Sequence, residues 1–316
     1  MIRIVEDTRI TFVPSVRLTL DPRSVSQARQ IEGDGTMVVR EQHKLTFRAM
    51  RATLGAVTAL MVWSGGTAAH AEPRYAWMGV ATPAAVTAPP ATSTLAARIA
   101  PPAGFTRVAA ETGSWAEWLR GLPLKPEGAP VLTYTGAPKW RQDVHVAVLD
   151  IDVGKRDLQQ CADAVMRLRA EWLYASNRKG EIAFNDTDGK RRMFSKQSKQ
   201  DYPSFRKYMD LVFAYAGTYS LDHELKAVKL TDIQIGDVFI KGGFPGHAIL
   251  VADMAVNQAT GEKRFLLMQS YMPAQDIHVL KNPNATGGSP WYGTDIGLQL
   301  ETPEWNFSAG QLKRWP

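Results

Sequence analysis

The chain has 316 residues, of which 45% are hydrophobic, which excludes a disordered protein and allows one large domain or two small ones. Its 37 basic and 31 acidic residues give a formal charge of +6, too small and too evenly spread to indicate nucleic acid binding. The single cysteine excludes an intramolecular disulfide and a thiolate-rich zinc or iron–sulfur site. The histidines are scattered without metal-ligand spacing, so we predict no metal and no cofactor.

The first 71 residues resemble a targeting region. Residues 1–49 show no second element for a first strand to pack on, and we interpret them as an extension from a start codon assigned too early. Arg51, the apolar run Thr53–Trp63 and the cleavage-like Ala69–Ala71 predict a signal peptide over residues 50–71. The run is short for a membrane span. We therefore expect a periplasmic or extracellular protein with no stable span after cleavage, the alternative being a cytoplasmic extension ahead of a membrane anchor.

The next segment is rich in alanine and proline. Because proline at this density interrupts helices and sheets, residues 72–102 are predicted to form a semi-extended linker. Residues 103–316 are then predicted to form a single domain that resembles a catalytic domain.

Secondary structure in this domain is predicted from apolar periodicity and turn residues. The apolar, β-branched segment Val144–Ile151 is typical of a buried central strand. Further predicted strands are Pro130–Tyr134 and Glu181–Asn185, and predicted helices are Ser114–Leu122, Tyr202–Ala216 and Leu221–Val228.

A further helix is predicted to carry the only cysteine. Asp157 is suited to be its N-cap residue, and Gln160 is placed to complete a capping box. Apolar side chains at positions 161, 165, 168 and 172 then share one inward face. Cys161 falls in the first turn, where free backbone N–H groups and the helix dipole favour a thiolate. Farther along this helix, Arg167 and Glu171 are expected to form an exposed or half-buried pair.

A hairpin later in the chain supplies polar partners for the cysteine. Its predicted strands are Ala248–Asp253 and Arg264–Tyr271, and His247 opens the first of them after a Gly-Gly-Phe-Pro-Gly turn. If paired positions sum to 516, His247 lies opposite Gln269 on one side of the sheet. A register slip of one residue presents Ser270 instead.

These residues predict a thiol-dependent site. Cys161 is the candidate nucleophile, His247 the general base and Gln269 the residue that orients the imidazole. The backbone N–H of Cys161 and the side chain of Gln159 or Gln160 are candidate oxyanion donors. Ser270 and Tyr271, next to Gln269, are candidate substrate-binding residues. The order of a cysteine on a helix followed by a histidine on a strand is that of papain-type hydrolases.

Two resemblances accompany this interpretation. Gly236–Ile240 followed by Gly246–Val251 resembles the Gly-Asp and histidine segment of NlpC/P60 cysteine peptidases. That resemblance implies a papain-like α+β fold, with a nucleophile helix packed on an antiparallel sheet, and cleavage of amide bonds in cell-wall peptides. The chain departs from that family in having Gln160-Cys161-Ala162 where Asp-Cys-Ser-Gly is usual. Residues 101–316 as a whole resemble the bacterial secreted family called domain of unknown function 4846.

The expected function is a secreted cysteine hydrolase or acyl transferase acting on a cell-wall peptide, glycan or envelope acyl substrate. Three alternatives remain open. Cys161 on the apolar face of its helix is also typical of a buried core thiol. The domain is alternatively a non-catalytic envelope module that binds through Tyr271, Trp291 and Tyr292. The thiol is alternatively a redox sensor.

Overall fold

The computed structural model describes residues 74–80 and 93–316. The predicted extension over residues 1–49 and the predicted signal peptide over residues 50–71 lie outside the described residues. Among the helices of the described part of the chain, none is long and apolar enough to cross a membrane.

The described residues form a mixed α+β fold, as predicted for the fold class. The helices are α1 (Ala76–Val80), α2 (Leu95–Arg98), α3 (Trp115–Arg120), α4 (Cys161–Ala175), α5 (Tyr202–Tyr215) and α6 (Thr218–Glu224). The strands are β1 (Thr106–Arg107), β2 (His145–Val148), β3 (Ala183–Asn185), β4 (Arg191–Met193), β5 (Lys226–Ala227), β6 (Val238–Lys241), β7 (His247–Val256), β8 (Lys263–Gln269), β9 (His278–Leu280), β10 (Tyr292–Gly293), β11 (Leu300–Glu301), β12 (Asn306–Phe307) and β13 (Leu312–Arg314).

One large antiparallel sheet organises the domain. Its path runs β2, β9, β8, β7, β6, β13 and β5, while β1 pairs with β7 and β10 pairs with β8. Strand β7 is ten residues long and buried over nearly all of its length. It lies inside the sheet because its apolar residues cover both of its faces.

The two faces of β7 belong to two apolar cores. Ala248 and Leu250 lie in the larger core, which also contains the apolar residues of α4. Ile249 and Val251 lie in the smaller core with aromatic residues that include Phe307. The alternation of side chains along a strand produces this division. Because α4 packs against β7, the helix that begins with the cysteine lies on the strand that begins with the histidine.

Helix α4 begins three residues later than predicted. Its first residue is Cys161, and its N-cap residue is Gln160, whose backbone N–H donates to Asp163 Oδ2 at 3.1 Å. The predicted N-cap residue Asp157 instead accepts hydrogen bonds from Gln160 Nε2 and from the backbone N–H of Ala274. The prediction of Asp157 as the N-cap residue was wrong, because its carboxylate forms hydrogen bonds between two loops instead of capping the helix. The cysteine lies in the first turn, as predicted.

The register of the β7–β8 hairpin differs from the predicted one. Leu250 pairs with Met268 and Val251 with Leu267, so paired positions in this part sum to 518 and not to 516. A turn centred later along the chain and a register shift between Val251 and Asp253 account for the error. A change of two residues keeps every side chain on its face, since side chains alternate with a period of two. His247 and Gln269 therefore share a face as diagonal neighbours.

Parts of the predicted linker over residues 72–102 are folded onto the domain. Tyr75, Trp77 and Leu95 are buried in the larger core, and Trp77 Nε1 donates to the carbonyl of Asp150 at 2.7 Å. The prediction used the average composition of the segment and so missed the contribution of these large apolar side chains. Their burial outweighs the entropic cost of ordering the backbone around them.

The predicted strand Pro130–Tyr134 is wrong. Leu132 and Thr133 make only isolated bridges there, so the segment is a loop. The segment Val144–Ile151 does contain strand β2, but β2 ends the path of the sheet rather than lying at its centre. Its apolar residues are covered from one side by the larger core, so hydrophobicity alone did not distinguish an edge position from a central one.

Arg167 and Glu171 form a fully buried ion pair rather than an exposed or half-buried one. Arg167 Nε donates to Glu171 Oε1 at 2.6 Å, and both side chains are inaccessible to solvent. The remaining guanidinium nitrogens reach Gln159 Oε1, Asp152 and the hydroxyl of Tyr202. We call these five residues the Arg167 network. The prediction was wrong because the i, i+4 spacing specifies the pairing but not the depth of burial.

Candidate active site

Cys161 and His247 line one pocket of about 360 Å³, which we call the Cys161 pocket. Its wall also includes Asp163 and Tyr271. At its mouth, Phe244 is 99% exposed and Met272 is 60% exposed. The pocket therefore joins a polar interior to an apolar rim.

Cys161 is 7% exposed. Burial raises the pKa of the thiol to about 11, and the charge of Asp163 acts in the same direction. Backbone hydrogen bonds from Ala162, Ala248 and Cys161 itself act against this rise in pKa. The contact with Ala248 places the sulfur beside the residue that directly follows His247.

His247 is held at the start of β7 by a tight glycine turn. A Cβ atom on the preceding residue, Gly246, would lie 2.3 Å from both the carbonyl oxygen of Gly243 and Thr218 Oγ1. Only glycine fits there, and this close approach fixes where the histidine enters the sheet. Thr218 belongs to α6 and donates to the same Gly243 carbonyl at 3.1 Å.

The His247 imidazole is neutral and packed among aromatic rings. Its ring centroid lies 4.8 Å from that of Tyr271, 5.4 Å from that of Trp305 and 5.9 Å from that of Phe307. Burial lowers the pKa of His247 to about 4, although the hydrogen bond to Gln269 opposes that change. An imidazole without a proton on one nitrogen is the form that can accept one.

Gln269 lies within hydrogen-bonding distance of His247. The distance from Gln269 Oε1 to His247 Nε2 is 2.8 Å, and both residues are 2% exposed. This contact occupies Nε2, so Nδ1 is the imidazole nitrogen left for a reacting group.

A buried ion pair behind Gln269 was not predicted from the sequence. Gln269 Nε2 donates to Glu304 Oε2 at 2.8 Å, and Lys139 Nζ donates to Glu304 Oε1 at 2.6 Å. The side chains of Lys139 and Glu304 are 2% and 5% exposed. No local sequence pattern connects residues so far apart in the chain; the only available signal was an acidic residue within the aromatic C-terminal segment.

The other candidate site residues occupy different environments. Gln159 is 1% exposed and is not among the residues that line the pocket; its Oε1 accepts from Arg167, and its Nε2, the group that could donate, is buried without a hydrogen-bond partner among the described residues. Gln160 lines the pocket, but its Nε2 donates to Asp157. Ser270 is fully buried and donates to the carbonyls of Gln159 and Gln275, so it connects loops. Tyr271 lines the pocket, and burial raises the pKa of its hydroxyl.

The aromatic residues of the alternative binding surface are divided between core and pocket. Trp291 is 5% exposed and Tyr292 is 2% exposed, and both belong to the apolar cores. Of the three predicted binding residues, only Tyr271 faces a pocket. Within residues 74–80 and 93–316, no group of three or more histidine, cysteine or acidic residues could hold a metal ion.

The arrangement is suited to base-assisted chemistry at sulfur. A thiol with a pKa of about 11 and an imidazole with a pKa of about 4 are both neutral near pH 7. A proton transfer from sulfur to nitrogen must therefore accompany any nucleophilic attack. The N-terminus of α4 adds backbone N–H groups that have no acceptor within the helix.

Comparison with known proteins gives one match. A family model described as domain of unknown function (4846) matches residues 95–314. Neither the curated proteins nor the solved structures that were searched gave a match.

Proposed function

The chain belongs to the family described as domain of unknown function (4846), and from its site we propose that it is a cysteine hydrolase or acyl transferase acting on amide or ester bonds. The observation that carries the proposal is the Cys161 pocket itself. It is lined by Cys161, the first residue of α4, and by His247, whose Nε2 lies within hydrogen-bonding distance of Gln269. A nucleophile, a base and a residue that orients the base are the three parts that such chemistry needs.

We also propose that the domain has a papain-like fold. Two features support this: α4 begins with the cysteine and packs on an antiparallel sheet, and the chain order is cysteine, then histidine, then the orienting amide. The sequence resemblance to NlpC/P60 peptidases agrees with this order.

The proposed reaction begins with a neutral thiol and a neutral imidazole. As Cys161 Sγ attacks the substrate carbonyl carbon, His247 Nδ1 takes the thiol proton. The carbonyl oxygen becomes an oxyanion, which the backbone N–H of Cys161 stabilises. The bond to the leaving amine or alkoxide then breaks as the imidazolium returns the proton to it. Water or an acceptor amine cleaves the resulting thioester, with His247 again acting as base.

The pocket lining constrains the substrate. Among its lining residues are Asp157 and Asp163 but no lysine or arginine, so a substrate with a carboxylate next to the reacting bond is disfavoured. The exposed Phe244 and Met272 at the mouth suit an apolar group beside that bond. A neutral cell-wall peptide or an envelope acyl group fits both conditions, and the signal peptide predicted from sequence agrees with a substrate outside the cytoplasm.

The test is turnover by single-residue variants. The protein, Cys161→Ala and His247→Gln are incubated with nitrophenyl acyl esters and with purified cell-wall sacculi. We expect no turnover by Cys161→Ala and a loss of about 10²- to 10⁴-fold for His247→Gln, the usual contribution of a general base. Because the chain has one cysteine, an acyl adduct detected by mass spectrometry on a cysteine must be on Cys161.

The matched control is His223→Gln, which alters an exposed histidine on α6 and is expected to leave turnover unchanged. Equal turnover by the wild-type protein and Cys161→Ala would remove the cysteine as nucleophile. Binding to sacculi without turnover of any substrate would favour the non-catalytic module.

A further inference from the structure

The amide of Gln269 has polar neighbours on every side. Its Oε1 lies 2.8 Å from His247 Nε2, and its Nε2 lies 2.8 Å from Glu304 Oε2 and 3.3 Å from His278 Nε2. All of these side chains are buried or nearly so. Their donors and acceptors must therefore match, because a buried polar group left without a partner destabilises the fold.

Two of the neighbours can only accept from Gln269. The Glu304 carboxylate, held by Lys139 at 2.6 Å, has no proton to donate. His278 Nδ1 lies 2.9 Å from the carbonyl of Asp276, so Nδ1 carries the proton and Nε2 is an acceptor. Both acceptors require the NH₂ group of Gln269, which has two hydrogens to give.

The orientation of the amide then decides the tautomer of His247. With its NH₂ group turned to Glu304 and His278, Gln269 presents Oε1 to His247. An amide oxygen only accepts, so His247 Nε2 must be the protonated nitrogen. In a neutral imidazole the lone pair is then on Nδ1.

We propose that the Lys139–Glu304 ion pair is a positioning device that holds His247 in its Nε2–H tautomer, with Nδ1 free to accept a proton in the Cys161 pocket. Glu304 is thus a positioning residue that acts through Gln269. The consequence for turnover rests on the proposed function, whereas the tautomer does not.

Replacing Glu304 by glutamine should reverse this arrangement. The Lys139 ammonium only donates, so it takes the oxygen of the new amide and turns the new NH₂ group toward Gln269. Gln269 must then rotate its amide to accept, which gives up its hydrogen bond to His278 Nε2, and its own NH₂ group faces His247. His247 is expected to switch to the Nδ1–H tautomer, which has no lone pair for the thiol proton.

A second substitution should restore the original tautomer. In Lys139→Met with Glu304→Gln, no ammonium claims the oxygen of the new amide, and this oxygen can accept from Gln269 as Glu304 did. A loss that came only from damaged packing would not be restored by a second change in the same buried site.

The experiment reads the tautomer directly from the ¹⁵N chemical shifts of the histidine rings near pH 7.5. His247 is assigned by the signal that disappears in His247→Gln. We expect Nε2–H in the wild-type protein, Nδ1–H in Glu304→Gln and Nε2–H again in the double variant. Glu301→Gln is the matched control, because this glutamate is exposed and its carboxylate accepts from Asn284 Nδ2 rather than from the Glu304 network; it should keep the wild-type pattern.

The outcomes separate this inference from the proposed function. An Nδ1–H signal in the wild-type protein, or a folded Glu304→Gln with the wild-type pattern, would overturn it. The wild-type spectrum is decisive even if Glu304→Gln fails to fold. A reversed tautomer should accompany a loss of turnover of about 10²-fold; full turnover by Glu304→Gln with a reversed tautomer would overturn the positioning role. If Cys161→Ala turns over substrate as the wild type does, the proposed function fails while the tautomer assignment stands.

Discussion

Two buried ionic networks differ in what they connect. The Arg167 network joins α4 to the loop before it and to the first residue of α5, Tyr202, and its central pair is separated by one helical turn. A second set of residues, which we call the Glu304 network, comes from five separate segments of the chain and ends at a residue that lines the Cys161 pocket. Its members are Lys139, Glu304, Gln269, His247 and His278. The Arg167 network connects α4 to neighbouring segments of the chain. The Glu304 network orients one side chain, His247, at the Cys161 pocket. Burial of charge alone therefore does not identify a functional site; the neighbour at the end of the network does.

Acid should disrupt the Glu304 network. Burial lowers the pKa of His247 to about 4 and that of His278 to about 3. The unfolded chain therefore binds more protons than the folded protein below pH 6.5, the usual histidine pKa. Stability is present above pH 6.5 and is lost as the pH falls through 4 to 3. The two shifts correspond to a loss on the order of 8 kcal/mol, to be measured by urea unfolding at a series of pH values.

Two histidine variants test whether the buried histidines cause the loss of stability in acid. His278→Gln should lower the free energy of unfolding at neutral pH but make its fall with acid less steep. His223→Gln, which alters an exposed ring, should leave the slope unchanged. An equal slope in all three proteins would show that the buried histidines do not control acid unfolding.

Removing one partner of the Arg167 network should destabilise the whole domain. Glu171→Ala leaves the Arg167 guanidinium buried without its main partner, and such a loss costs about 3–5 kcal/mol. For a domain of this size that lowers the melting temperature by about 10 °C. The measurement is thermal unfolding followed by circular dichroism.

The control for this prediction is Glu181→Ala. Glu181 forms a surface pair with Arg178 in which both side chains are largely exposed, so its loss should leave the melting temperature nearly unchanged. A similar melting temperature for both variants would mean that burial adds nothing to the Arg167 network.

The contrast between the networks explains which parts of the structure were predictable from sequence. Local patterns predicted the helix that carries Cys161, the hairpin after His247 and the shared face of His247 and Gln269, because periodicity fixes which side chains lie together. The i, i+4 spacing of Arg167 and Glu171 in the sequence also indicated that they pair, but it did not indicate that the pair is buried.

The Glu304 network could not be predicted in the same way. Lys139 and Glu304 are 165 positions apart, and Glu304 and Gln269 are 35 positions apart. Neither pair has a repeat or spacing rule to indicate contact. The register of the hairpin was missed for a related reason, since a register shift near Asp253 is set by three-dimensional packing and leaves no clear mark in the sequence.

A substitution at Asp163 is expected to have the smallest effect of those predicted here. Asp163 belongs to neither buried network, but it affects the pKa of the Cys161 thiol. It lies two residues after Cys161 in the first turn of α4, and its charge adds to the burial that raises the pKa of the thiol. Asp163→Asn removes the charge but keeps an oxygen for the backbone N–H of Gln160, so α4 should begin at the same residue. Burial raises the pKa of the Asp163 carboxyl itself, so the substitution acts on the thiol only to the extent that this carboxyl is ionised. We expect a lower thiol pKa and faster alkylation by iodoacetamide at pH 8. Asp210→Asn removes a carboxylate on α5 that pairs with Arg156, and its rate should equal that of the wild-type protein. A slower or unchanged rate in Asp163→Asn would show that the charge of Asp163 does not raise the pKa of the Cys161 thiol.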